Sequence, residues 1–306
     1  MAHRGEAGAP RYYLASAESA RPLLVVLQGS GCEPAFVEGE TGMRATAGQD
    51  LVETLGARRF AVMVVDKPHA GEPGTRGAEA GTGEGCSSGF RRSHSLERWV
   101  DVVGRAIDDA KRRRGVDANA PVRLLGLSEG AITAARLARR RGDVGHVAFV
   151  SGFGCDQWAD MLVVARREAE AAALELGSVE RAAAVRAAVQ RAQQGLEAVA
   201  ADPANPDRFY GGQTHLFWST FGRACPAEDL AGCRAAVFVA FGTADEQIDA
   251  NGVEAIVSAC IAAGKPVWVE RVVGGSHVLD TPGTPPFANL IETFRRALDW
   301  MAPEGG

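Results

Sequence analysis

Four short runs, Leu23–Leu27, Phe60–Val65, Val147–Val150 and Ala235–Phe241, are apolar from end to end. A strand with one wet face alternates apolar and polar residues, and these do not, so they predict strands buried on both faces, as in a parallel sheet sandwiched by helices. Val122–Leu127, broken only by Arg123, and Val267–Val272 extend the series. Helical patterns fall between them, at about Ala45–Arg58, from the Ser95 cap to Arg114, after Gly130, over Val253–Ala263 and over Phe287–Met301. The first run is preceded by a leader and by residues 11–16, which predict a short edge strand. Such alternation predicts an α/β fold with a mostly parallel central sheet, and 306 residues with 46% apolar content supply a sizeable core.

The ends of these strands carry the chemistry. Val122–Leu127 runs into Gly126-Leu127-Ser128-Glu129-Gly130 and then an Ala- and Arg-rich helix. A strand, tight turn and helix in that order lift the hydroxyl of Ser128 above the sheet edge. They also leave the backbone N–H of Glu129 unpaired at a helix start, facing any developing negative charge. Leu23–Leu27 ends in Gln28-Gly29-Ser30-Gly31, whose small residues let backbone amides approach a substrate oxygen. Asp245 follows the strand at Ala235–Phe241, with Glu246 and Asp249 as neighbouring carboxylates and helix capping as its alternative duty. His277 sits in the glycine-loosened loop after Val267–Val272. Serine alone is a weak nucleophile and needs a base held in one tautomer by a carboxylate, and Ser128, His277 and Asp245 supply those three groups along one sheet edge. His69 and His94 lie on or near the long Gly-rich segment from Ala70 to Gly89 and receive no role.

The alternation breaks after Cys155. Up to about Asp202 the chain is rich in Ala, Glu and Arg, with five arginines against five glutamates from Arg166 to Glu197, as on solvated helix faces. Pro203 and Pro206 close this stretch, and Phe209, Tyr210, Phe217 and Trp218 follow within ten residues. Residues 155–227 therefore predict a helical lid inserted into a core of residues 1–154 and 228–306. Phe217 and Trp218 are its candidate substrate-facing aromatics, unless an ordinary docking helix accounts for them.

Composition narrows the partners. A net charge of −5 from 33 basic and 38 acidic residues offers no basic field for nucleic acid, and no apolar run is long enough to span a membrane. The first residues lack the apolar core of a signal peptide, so the cytoplasm is the default expectation, and an exported protein if a leader has been removed. Six cysteines without a Cys-x-x-Cys pair argue against a metal or redox motif, and no cofactor is expected. Cys225 and Cys233 bracket a short loop and are a candidate disulfide, with two unpaired thiols as the alternative.

The order Ser128, Asp245, His277, with Gly126-x-Ser128-x-Gly130 as the turn, resembles the α/β-hydrolase family from about residue 20 to 302. The resemblance implies a nucleophile elbow, an oxyanion hole from the amides of Glu129 and Ser30, substrate contact at Gly29 and Gly31, and a cap where the lid falls. Gln28-Gly29-Ser30-Gly31 departs from the His-Gly-Gly-Gly of one esterase branch. The Gly242-Thr243-x-Asp245 turn is more like the set of small esterases, thioesterases, dienelactone-type hydrolases and prolyl-oligopeptidase-like peptidases. Hydrolysis of a small-molecule carboxylic ester or thioester is the leading expectation. A serine peptidase or acyltransferase comes next, and a non-catalytic relative last.

Overall fold

A computed structural model of the chain describes residues 2–3, 10–15, 19–39, 42–45, 59–71 and 83–302. The expected helix over 46–58 and most of the Gly-rich segment lie outside these residues, and Ala45 ends a strand. The strands are β1 (Ala2–His3), β2 (Tyr12–Ala15), β3 (Leu23–Leu27), β4 (Phe36–Gly39), β5 (Gly42–Ala45), β6 (Ala61–Val65), β7 (Val122–Leu127), β8 (Val144–Val150), β9 (Phe209–Tyr210), β10 (Gln213–Thr214), β11 (Ala236–Gly242) and β12 (Val267–Val272). The described helices are α1 (Ser88–Ser93), α2 (Leu96–Ala110), α3 (Glu129–Arg140), α4 (Gln157–Ala172), α5 (Ser178–Ala201), α6 (His215–Thr220), α7 (Pro226–Gly232), α8 (Ala250–Ala262) and α9 (Ala288–Met301).

Eight strands form one sheet in the order β1-β2-β6-β3-β7-β8-β11-β12. The six from β6 to β12 run parallel, while β2 pairs antiparallel with β6 and β1 antiparallel with β2. A strand therefore forms at Tyr12–Ala15, within the expected 11–16, but Ala2–His3 lies outside it, so it is not the outermost. Alternate residues along each apolar run enter two separate cores. Leu23, Val25, Leu124, Val147 and Val239 pack under α2, α3, α7 and α8, whereas Leu24, Val26, Leu125, Ala148 and Phe238 pack under α9. Burial on both faces is the physical reason those runs do not alternate in polarity.

Between β8 and β11 the chain leaves the sheet through α4 and α5, which pack side by side, then the β9–β10 hairpin and α6. A disulfide between Cys155 and Cys225 joins the two ends of this excursion, and a second links Cys32 to Cys86. The candidate Cys225–Cys233 disulfide is therefore not formed, and of the two only Cys233 is a free thiol. Those two residues flank α7, and eight residues at the helical rise separate their backbones by about 12 Å, beyond the reach of a disulfide.

Helix α4 is fastened to the segment that follows β11. Arg167 donates to the carbonyls of Asp245 and Ile248 at 2.8 and 3.1 Å, and the buried carboxylate of Asp160 accepts from the Asp249 N–H at 3.2 Å. Burial pushes the Asp160 carboxyl up to about 7, and the negative charges of Asp249 and Asp245 add to the rise, against the Asp249 N–H and Arg167. Between its ordinary value of 3.8 and 7 the folded protein holds a proton that the unfolded chain releases. Stability therefore falls as pH rises through this window and is level above it. Asp160→Asn keeps an acceptor for the Asp249 N–H and removes the titration. Chemical unfolding should find the variant and the wild type alike at pH 4, and the variant about 4 kcal/mol more stable at pH 8. Parallel pH profiles would show that Asp160 ionises freely in the fold.

Candidate active site

The turn after β7 is as tight as its glycines suggest. A Cβ on Gly126 would lie 2.3 Å from the carbonyl oxygen of Gly130, and one on Gly130 would lie 2.1 Å from that of Leu27. Both are closer than any side chain tolerates, so the strand, turn and helix approach only with glycine at these positions. Ser128 is held at φ 55° and ψ −120°, a strained conformation for a residue with a Cβ, with its N–H bonded to the Val150 carbonyl at 2.8 Å.

Across the sheet edge the loops after β11 and β12 are joined through their backbones. Ala244 N–H donates to the Gly275 carbonyl at 3.0 Å and Gly274 N–H to Thr243 Oγ1 at 2.9 Å. His277 Nε2 then lies 3.0 Å from Ser128 Oγ, and its Nδ1 lies 2.9 Å from Asp245 Oδ2 and 3.2 Å from Oδ1. The Asp245 carboxylate also accepts from the N–H groups of Gln247 and Ile248 through Oδ1, at 2.8 and 3.2 Å. Helix capping falls instead to Asp249, whose carboxylate accepts from Asn251 N–H. Glu246, the other alternative, accepts the His277 backbone N–H at 3.1 Å and so anchors the histidine loop.

A cavity of about 130 Å³ opens on Ser128 and His277. Ser30, Phe217 and Trp218 line it, as the sequence suggests. Both aromatics are also core residues, 4% and 5% exposed, because Phe217 stacks on Phe221 and the Trp218 indole N–H donates to the Tyr210 carbonyl at 2.6 Å. The docking and lining alternatives are thus both realised. Gly29 and Gly31, expected to touch substrate, are not among the lining residues, and their carbonyls are turned to the Lys67 ammonium at 2.7 and 3.1 Å. Gln157, Gln213 and Gln247 give the wall neutral polar groups, and the buried hydroxyl of Ser151 borders it.

The group behind Ser128 was not foreseen from the sequence. Glu129 contributes more than a backbone amide, since its buried carboxylate forms an ion pair with Lys67 at 2.8 Å and meets His94 Nε2 at 3.1 Å. Burial pushes Glu129 up, but the charges and hydrogen bonds of His94 and Lys67 outweigh it and hold the carboxyl below its ordinary range. Burial lowers His94, which is packed against Phe90 and Phe221, while the Glu129 carboxylate beside its Nε2 pulls the other way. A lysine directly after a buried strand was the available signal, because an ammonium at that depth requires a partner.

No protein-family model matches the sequence, and no curated protein matches it. Solved structures are similar in fold. Est1E from Butyrivibrio proteoclasticus superposes with a TM-score of 0.54 at 14% identity over 97% of this chain and 96% of that one. The acylaminoacyl peptidase of Pyrococcus horikoshii gives 0.58 at 11% over 95% of this chain and 38% of that one. The monoacylglycerol lipase of Paleococcus ferrophilus gives 0.53 at 18% over 95% and 97%. The sheet order and crossovers are those of the α/β-hydrolase fold.

Proposed function

We propose that this chain with an α/β-hydrolase fold is a serine hydrolase that cleaves small carboxylic esters or thioesters through an acyl-enzyme on Ser128. The observation that carries the reading is the continuous hydrogen-bonded line from Ser128 Oγ through His277 to Asp245. His277 takes the Ser128 proton as the oxygen attacks the acyl carbon, then delivers it to the departing alkoxide or thiolate. The same imidazole removes a proton from the water that releases the acid. Asp245 keeps Nδ1 protonated and steadies the imidazolium. The amides of Glu129 and Ser30 receive the carbonyl oxygen as it becomes negative.

Substrate size and polarity follow from the cavity. Its 130 Å³ is well below the roughly 300 Å³ at which pockets begin to take drug-sized ligands, so a short acyl group fits. Glu129 is the only carboxylate among the described lining residues, and it is committed to Lys67 and His94. The rest of the polar lining is neutral amides and hydroxyls, which supports an uncharged acyl group over a peptide amino terminus. Residues 155–227, with Phe217 and Trp218, roof this space in the reading, and the Cys155–Cys225 bond and the Arg167 contacts make it a fixed roof.

The test is labelling with a fluorophosphonate probe, followed by p-nitrophenyl esters of increasing length, acyl-CoA thioesters and aminoacyl-naphthylamides. Labelling at Ser128 is expected, with kcat/KM falling at least about tenfold from butyrate to octanoate as the chain outgrows the cavity. Preference for the naphthylamides would replace the ester reading by a peptidase, and a flat chain-length profile would remove the roof from substrate selection.

A further inference from the structure

We propose that Lys67 is the positioning residue of the oxyanion hole, setting the Ser30 N–H toward the substrate by gripping the other end of the same peptide group. The proposal rests on the serine-hydrolase reading of Ser128 and adds to it a residue that never touches substrate.

Lys67 Nζ is completely buried and donates to the carbonyls of Gly29 and Gly31 at 2.7 and 3.1 Å, with Glu129 Oε1 at 2.8 Å as its counter-ion. Two carbonyl oxygens that accept its hydrogens and a carboxylate that balances its charge suit an ammonium. The carbonyl of Gly29 and the N–H of Ser30 belong to one planar trans peptide, so they point in opposite directions. An ammonium fixing that carbonyl on the buried side therefore directs the N–H out to the cavity that Ser30 lines. The second grip, on Gly31, pins the far side of the turn, where φ is 112° and the backbone has glycine's freedom to rotate.

Glu129 completes the arrangement. Its own N–H, at the first position of α3, is the other donor of the hole, and its side chain reaches back to Lys67. Through Lys67 the loop after β3 is thus tied to the helix after β7, and the two donors are fixed relative to each other. His94 holds the second carboxylate oxygen, and the Cys32–Cys86 disulfide tethers the loop just beyond Gly31. Removing an ammonium and its carboxylate from water is costly, and no packing need explains it where two apolar side chains of similar volume would fit. An oriented donor pair gives that cost a purpose, since a donor placed in advance stabilises developing charge without reorganising.

The experiment compares wild type, Lys67→Met and the charge-neutral Lys67→Met/Glu129→Gln in steady-state hydrolysis of p-nitrophenyl acetate. Affinity for butylboronic acid is measured alongside, because its serine adduct places an oxygen where the oxyanion forms. In the folded double variant kcat should fall about 10- to 100-fold with KM within about threefold, and boronate affinity should weaken in step. Unchanged kcat, or a fall in kcat with boronate affinity retained, would overturn the proposal. If neither variant folds, a crystal structure of the wild-type boronate adduct decides. The boronate oxygen accepting from Ser30 N–H while Lys67 stays on Gly29 supports it, and an oxygen bound elsewhere sinks it. A wild type that no fluorophosphonate labels would take down the hydrolase reading, and this proposal with it.

Discussion

Ser128→Ala should abolish fluorophosphonate labelling and lower kcat on p-nitrophenyl acetate by about 10⁵- to 10⁶-fold, leaving only what binding and the oxyanion donors contribute. The effect is that large because His277 has no substitute nucleophile to activate. Ser151 borders the cavity, but His277 Nε2 is bonded to Ser128 Oγ. The fold should survive the loss, since that hydroxyl serves no packing role. A second substitution separates chemistry from strain. Ser128 occupies φ 55° and ψ −120°, where a Cβ is unfavourable and glycine is at ease. Ser128→Gly should therefore be as inactive as Ser128→Ala and more stable than it by about 1 kcal/mol, read as a higher urea midpoint with the slope unchanged. Labelling of Ser128→Ala at another serine would relocate the nucleophile, and equal stability of the two variants would mean the elbow carries no strain.

What the sequence makes legible here are features set by local chemistry. Runs apolar on both faces identify strands β3, β6, β8 and β11, because nothing but a doubly covered sheet asks for them. Ser128, Asp245 and His277 stand out because each follows a predicted strand, and a parallel sheet brings those ends to one edge. Lys67 also follows a buried run, yet its meaning lies in Glu129 and two glycine carbonyls, all distant in the chain. His94 received no role because Phe217 and Phe221, which close around it with Phe90, are distant in sequence. The cysteine pairing was hidden for a related reason. Proximity in sequence made Cys225 and Cys233 a candidate pair, while α7 holds those two apart and the return of the insertion delivers Cys225 to Cys155.

Asp245→Asn should lower kcat by about 10⁴-fold while KM stays within a few-fold, and the cause can be traced to single hydrogens. Oδ1 of Asp245 accepts from the N–H groups of Gln247 and Ile248, so in the asparagine variant the amide oxygen must take that position. The amide nitrogen is then left at the Oδ2 position, 2.9 Å from His277 Nδ1, and presents a hydrogen where the carboxylate presented a lone pair. Nδ1 has to become the acceptor, which moves the ring's proton to Nε2, facing Ser128 Oγ. An imidazole in that tautomer cannot take the serine proton. Glu246→Gln is the control, because Glu246 meets only the His277 backbone N–H within that loop and glutamine keeps an acceptor there. Its kcat should remain within about threefold of wild type. Imidazole nitrogen NMR supplies the second readout, with the protonated nitrogen switching from Nδ1 to Nε2 in Asp245→Asn alone. A loss below tenfold, or an unswitched tautomer, would mean that Asp245 does not orient His277.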